Sequence, residues 1–344
     1  MKLPVVTRVD AKELTFARGL LFALQRALRE TPPGRLFSLG DVAAETVPEI
    51  ERWCRLTGNA IVALEDGGGP YELVLRHGPA PDEEPARPVG SRIWVYTNFD
   101  CNLSCDYCCV RSSPKTPRDA FGEERMGSLC QELDELGRTR ELFLTGGEPF
   151  LLEDLDRLVV AGTRIAPVTV LTNGMLFTGR RRQLLDRFPR DRVTLQVSLD
   201  SPEPGLHDRH RGGGSWQKAR DGIAAARAMG FRVRLAATVS SDGEAADFRR
   251  LALAEELPEE DVVIRRMALR GYAEDGVALA RADVVPEATF TSSGLYWHPV
   301  GAGDRDFLVT DRLFPVRDSL ARLEKELEES RLFGDRLASI FHCA

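Results

Sequence analysis

RIWVYTNFDCNLSCDYCC occupies residues 92–109, and RELFLTGGEPF follows at 140–150. Each begins as an apolar, β-branched run of strand length and leaves through a polar turn. Between them, Met126, Leu129, Cys130, Leu133 and Leu136 share one face of a helix predicted over 124–137. Two parallel strands need a crossover of about that length, so the stretch reads as a β-α-β unit. The alternation continues through PVTVLT (167–172), RVTLQVSL (192–199), FRVRLAATV (231–239) and DVVIRR (261–266). Six such strands with helices between them predict an α/β fold on a parallel sheet covered on both faces. Periodicity leaves an open sheet and a barrel equally compatible.

Working outward, HGPAPDEEPARPVGSR (77–92) carries prolines at 79, 81, 85 and 88. That density removes amide donors and restricts each preceding residue, so 78–91 reads as a solvated linker. Before it, residues 1–77 read as a small two-layer β-α-β-α-β-β sandwich. VVTRVD alternates as a strand. Residues 16–30 follow a helical period with Leu20, Leu21, Leu24 and Leu28 on one face. RLFSL is a strand, and Thr46 with Glu49 predicts a capping box at the next helix. AIVALE and YELVLR flank the glycines at 67–69 as a hairpin. The strand-helix domain spans 92–270. Residues 271–344 form an extension, irregular or strand-like to about 310 and then a charged helix near 316–331.

The chain has 344 residues, 43% apolar and 29% charged, with 46 Lys plus Arg against 53 Asp plus Glu and a net charge of −7. That balance supports a real core and disfavours a nucleic-acid binder with a globally basic surface. The sequence shows no apolar run of membrane-spanning length and no signal-peptide pattern, so a cytoplasmic location is expected.

Cysteine is unevenly spread. Of seven, four are Cys101, Cys105, Cys108 and Cys109. A disulfide framework spreads its cysteines to close loops; this crowding points to a metal or cluster. Cys101, Cys105 and Cys108 form C-x3-C-x2-C on one loop. Thiolates suit iron–sulfur clusters, and three ligands to a four-iron cluster leave one iron open. A structural zinc site is the competing reading, although no second knuckle accompanies the loop. Cys109 reads as a bystander. One unit later, Gly146, Gly147 and Glu148 follow a strand end, where parallel α/β folds bind ligands. The glycines are expected to let backbone approach a ligand, and Glu148 supplies a carboxylate that suits an amino group.

CNLSCDYC, then TGGEPF, TNG and VSLD, in that order on successive strand ends, resemble the radical S-adenosylmethionine (SAM) superfamily, in particular its molybdenum-cofactor and peptide-modifying branch. The resemblance covers about 92–270. It implies a partial (β/α)6 TIM-type barrel. It also implies one [4Fe–4S] cluster on Cys101, Cys105 and Cys108, with SAM on the open iron. Reductive cleavage of SAM would then give a 5′-deoxyadenosyl radical that takes hydrogen from the substrate. By position, Tyr107 matches the aromatic residue near the adenine, and Gly146, Gly147 and Glu148 the segment holding the SAM amino group. Thr172 and Asn173 match a polar SAM-facing position, and Ser198 and Asp200 the ribose and carboxylate region. Arg211, from the HDRHRGGGSW stretch read as a loop, is the candidate for substrate or the SAM carboxylate; a solvated basic loop is the alternative.

Arg234 and Arg265 lie on the fifth and sixth strands and either face the interior or face out. Trp297-His298-Pro299 reads as core beside a turn, or as a substrate wall. Cys54 and Cys130 read as packing, and Cys343 as a tail thiol. Residues 5–77 resemble the sulfur-carrier fold of the TusA/SirA type, but Phe16, Ala17, Arg18 and Gly19 stand where that family has Cys-Pro-x-Pro. Persulfide transfer is therefore expected to be lost. Only Cys343 follows Cys130, so no auxiliary cluster is expected from C-terminal cysteines. The expected substrate is a small molecule or peptide, and the expected reductant a flavodoxin or ferredoxin. The alternatives are a radical SAM enzyme of sulfur metabolism working with a sulfur carrier, and a non-catalytic protein with a structural metal.

Overall fold

A computed structural model describes residues 5–32, 34–57, 59–65, 70–78 and 88–340. Most of the expected linker, the glycines at 67–69 and Cys343 lie outside the described residues. The chain divides into two compact units, Met1–Ala86 and Arg87–Ala344.

The first unit runs β1 (Val5–Asp10), α1 (Leu20–Glu30), β2 (Leu36–Val42), α2 (Val47–Thr57), β3 (Ala60–Glu65) and β4 (Tyr71–Arg76). Its sheet has the order β1-β2-β4-β3, with β1 parallel to β2 and β4 antiparallel to both neighbours. Leu20, Leu24, Phe37, Leu39, Ile50, Leu73 and Cys54 fill its core, and Phe16 packs against it. Two local expectations are corrected. Gly19 is left-handed, so the helix starts at Leu20 and turns Leu21 outward, 37% exposed. The Thr46 hydroxyl is buried with no hydrogen-bond partner, so it does not close a capping box. The turn Ala44–Thr46 already runs as a 3-10 helix into α2, which takes Thr46 away from the extended cap conformation.

In the second unit the strands are β5 (Arg92–Tyr96), β6 (Glu141–Thr145), β7 (Val168–Thr172), β8 (Val193–Ser198), β9 (Arg232–Val239) and β10 (Val262–Arg266). All six are parallel, in sequential order. The crossovers carry α3 (Glu123–Leu136), α4 (Leu155–Thr163), α5 (Gly179–Asp186), then α6 (Pro204–Arg211) with α7 (Ser215–Ala228), and α8 (Asp242–Ala254). This is the predicted α/β fold, a partial (β/α)6 TIM-type barrel, with each strand within about a residue of its sequence-based range. Beyond it, β11 (Thr289–Thr291) pairs parallel with β5, and β12 (Gly294–Tyr296) and β13 (Leu308–Thr310) extend that side antiparallel.

Strand alternation sorts the side chains. Ile93 and Val95, Leu142 and Leu144, Val168 and Val170, Leu195 and Val197, and Leu235 and Ala237 pack under the helices. Their neighbours, including Trp94, Phe143, Gln196 and Arg234, face the lumen. On α3, Met126, Leu129, Cys130 and Leu133 are buried at helical spacing, and left-handed Gly137 ends the helix by donating to Leu133 and Asp134 carbonyls. The final helix, α9 (Val316–Ile340), packs on α3 and β13; the Glu132 carboxylate accepts from the Val316 amide at 2.6 Å and so caps it.

Candidate active site

The loop after β5 carries the cysteines. Cys101 and Cys105 are buried, and Cys108 and Cys109 half-buried. The Leu103 amide donates to Cys101 Sγ at 3.4 Å and the Ser112 amide to Cys108 Sγ at 3.2 Å, contacts that suit thiolates. Burial, then Glu148, pushes the Cys101 thiol up to about 12. Burial pushes Cys105 to about 11, with Arg211 pulling the other way. Bound metal would reverse that direction, because a coordinating thiol is deprotonated. Gly271 packs on this loop: a Cβ there would lie 2.0 Å from the Cys108 carbonyl oxygen. Among the described residues, no three His, Cys, Asp or Glu side chains converge to hold a single ion. A four-iron cluster takes each thiolate on a separate iron, and three cysteine donors on one loop fit that arrangement.

The β6 exit packs directly on the approach to Cys101. The Gly147 amide donates to the Asn98 carbonyl at 2.9 Å and the Glu148 amide to the Asp100 carbonyl at 3.0 Å. A Cβ on Gly146 would fall 2.5 Å from the Asn98 oxygen, and one on Gly147 2.1 Å from the Asp100 oxygen. The backbone packed on these glycines is the Asn98–Asp100 turn, which the Gly147 and Glu148 amides hold in place.

Glu148 is fully buried. Its Oε1 accepts from the Phe150 amide at 3.1 Å and the Thr172 hydroxyl at 2.7 Å, and its Oε2 from the Asn173 amide at 2.8 Å. Burial raises its pKa to about 6, and those three bonds restrain the rise. Asn173 Nδ2 donates to Asn102 Oδ1 at 2.8 Å, tying the β7 exit to the cysteine loop. The structure thus brings Glu148, Thr172 and Asn173 together beside Cys101. Ser198, at the end of β8, is half-buried.

A second network holds Asp200. Its carboxylate accepts from Arg211 Nε at 2.6 Å and Nη2 at 3.1 Å, from the Tyr107 hydroxyl and from the Thr238 amide at 3.1 Å. The Asp200 amide donates to His207 Nδ1 at 3.1 Å. Burial alone would raise the Asp200 pKa; Arg211 overrides it and the net direction is down. The Arg211 guanidinium also lies 5.4 Å over the Tyr107 ring. Asp200 is therefore engaged internally and positions Tyr107 and Arg211. The stretch read as a basic loop is corrected: residues 204–211 form α6, His207 is 1% exposed, and Asp208 accepts from the Gly214 and Trp216 amides to cap α7. Asn98, Asn102 and His207 were not among the predicted site residues. Asn98 and Asn102 flank the cysteines in TNFDCN, and their polarity beside a strand end was the available signal.

Residues 95–247 match the Radical SAM superfamily model. A probable GTP 3′,8-cyclase of Archaeoglobus fulgidus is 32% identical over 143 residues, 42% of this chain and 47% of that protein. GTP 3′,8-cyclase of Sinorhizobium medicae is 31% identical over 159 residues, 44% of each chain. The chain spans about half the length of these curated relatives. The solved structure of native anSMEcpe with bound AdoMet aligns with a TM-score of 0.52 at 12% identity, covering 67% of this chain and 80% of that one. At that identity the likeness speaks to the fold. The match to the Radical SAM superfamily model falls on the strand-helix fold of the second unit, over β5 to α8. The family match lies within it and carries nothing about residues 5–77.

Proposed function

We propose, taking residues 95–247 as the Radical SAM superfamily domain they match, that this protein is a radical SAM enzyme acting on a small-molecule or peptide substrate. The observation that carries the reading is the join of the three-cysteine loop to the β6 and β7 exits through Glu148, Asn173 and Asn102. Cys101, Cys105 and Cys108 would hold one [4Fe–4S] cluster. When bound, the cluster supplies the electron that splits SAM reductively into a hydrogen-abstracting 5′-deoxyadenosyl radical. The chain's own residues do the rest. Glu148, ionised above its pKa of about 6, offers a fixed carboxylate to the SAM amino group. Thr172 and the Asn173 amide keep that carboxylate from rotating. Asp200 holds Arg211 toward the cysteine loop, where its remaining guanidinium nitrogen suits the SAM carboxylate. Tyr107, locked by the same aspartate, suits the adenine, and Ser198 the ribose. A flavodoxin or ferredoxin is the fitting electron donor.

Anaerobic reconstitution with iron and sulfide quantitation, and spectra before and after adding SAM, test this directly. A cluster with no spectral response to SAM, or no 5′-deoxyadenosine after dithionite reduction, would overturn it. The curated relatives make GTP the first substrate to try. Its conversion to a cyclised product in the reconstituted enzyme would narrow the reaction.

For the first unit, the order β-α-β-α-β-β supports a TusA/SirA-type module, and Phe16 on its core supports loss of the carrier thiol. Cys54 is the one cysteine in residues 1–86 and is 4% exposed. A cysteine desulfurase should therefore place no persulfide on this unit of the intact chain. Labelled sulfur found there would sink the idea and favour sulfur metabolism.

A further inference from the structure

One lumen arginine takes no part in the networks above. On β10, Val262 and Ile264 pack against the helix-side core, so alternation turns Arg265 into the lumen. On β9, Val233 and Leu235 face the helices, which turns Arg232 and Arg234 inward. Arg232 is answered: its Nε lies 2.8 and 3.0 Å from the two Asp261 oxygens. Arg234 comes only within 3.8 Å of that same carboxylate, and its Nε is buried with no hydrogen-bond partner. Glu287, two residues before β11, is already taken by Arg92 at 3.0 Å and by the Trp94 indole.

Arg265 forms no hydrogen bond or ion pair among the described residues. Cys109, Tyr96, Glu287 and Arg234 lie within electrostatic range of it. Burial drags its pKa below the ordinary guanidinium value, yet its surface stays open to water. Both hold for a side chain walled by protein with free space in front. Its guanidinium, exposed and without a partner among the described residues, is open to an anionic ligand. Within electrostatic range of Arg265, His298 Nδ1 accepts from the Val300 amide at 3.1 Å, which leaves the ring proton on Nε2 as a donor.

We infer that Arg265, backed by Arg234, binds an oxyanion of the substrate, a carboxylate or a phosphate, on the β10 wall of the lumen. Calling the ligand the substrate's rests on the radical SAM reading; the subsite itself stands on geometry and charge. The planar fork of an arginine suits either oxyanion through paired hydrogen bonds.

The test uses the anaerobically reconstituted full chain, checked first for its spectral response to SAM. That step alone reports on the radical SAM reading. Calorimetric titration with inorganic pyrophosphate and, separately, with succinate then probes the subsite. The wild type should bind at least one, and the stronger identifies the oxyanion. Arg265→Gln should weaken it about tenfold or more, and Arg265→Lys less, as expected when one charge-assisted contact is lost. Exposed Arg249→Gln should leave it unchanged. Arg265→Lys keeps the charge and guards against a misfolded Gln variant. The inference is overturned if neither probe binds, if Arg265→Gln binds as tightly as wild type, or if it abolishes the SAM response, which would make Arg265 a SAM contact.

Discussion

Replacing Glu148 by Gln should change how stability depends on pH. The carboxyl is fully buried and its pKa is raised from 4.5 to about 6. A raised acid binds its proton more tightly in the folded chain than in the unfolded one. Its contribution is therefore fully present below pH 4.5 and lost as pH rises through about 6. A shift of that size corresponds to about 2 kcal/mol. Glutamine does not titrate, so between pH 4.5 and 7 the wild type should lose about 1.5 kcal/mol more than Glu148→Gln. Every other titrating group is common to both chains and cancels. Urea denaturation of the cluster-free proteins across that range measures the difference. The variant also turns one acceptor into a donor facing the Thr172 hydroxyl or a backbone amide, a pH-independent loss of about 1–3 kcal/mol. Parallel stability–pH curves, however far apart, would refute the assignment of the raised pKa to Glu148.

Three further outcomes are expected. Cys105→Ala should lose its iron and sulfide on reconstitution while Cys109→Ala keeps them; the reverse result would reassign the ligands. Gly147→Ala places a methyl 2.1 Å from the Asp100 carbonyl, so it should destabilise the fold by about 1–3 kcal/mol and lower cluster occupancy, read by melting and iron content together. Asp200→Asn strips the counter-charge from buried Arg211 and should cost about 3–5 kcal/mol at neutral pH. Because the Asp200 pKa is lowered, that difference should shrink as acid protonates the wild-type carboxylate; a difference flat down to the acid limb would show that the ion pair is not its source.

The strands were legible because β-branched alternation and helical crossovers both leave strong periods, and the cysteine loop because its spacing has few other uses. What the sequence hid was tertiary. The α6 segment, PGLHDRHR, has almost no apolar period; it is helical because Pro204 suits a first turn and His207 and Arg211, four residues apart, converge on Asp200. The glycines of TGGEPF were legible as a close approach, but which backbone approaches them depends on the fold of TNFD. Arg265 was legible as a strand charge of undecided face, and only the packing of Val262 and Ile264 decides it. Thr46 and Leu21 fit local rules that the preceding turns override.

β11 to β13 join the sheet beside β5, and among the described residues β10 is left without a second neighbour. A closed eight-stranded barrel fixes its own girth, because strand number and stagger together set the diameter. A sheet with a free seam has no such constraint. It can widen by splaying at one edge while every existing ladder bond is kept. On the proposed reading, the segments 267–288 and 298–307, tied to each other by Arg270 with Asp304 and Asp306, and not the strand count, would set the size of guest admitted. Variation in those segments would then let one frame serve substrates of very different bulk.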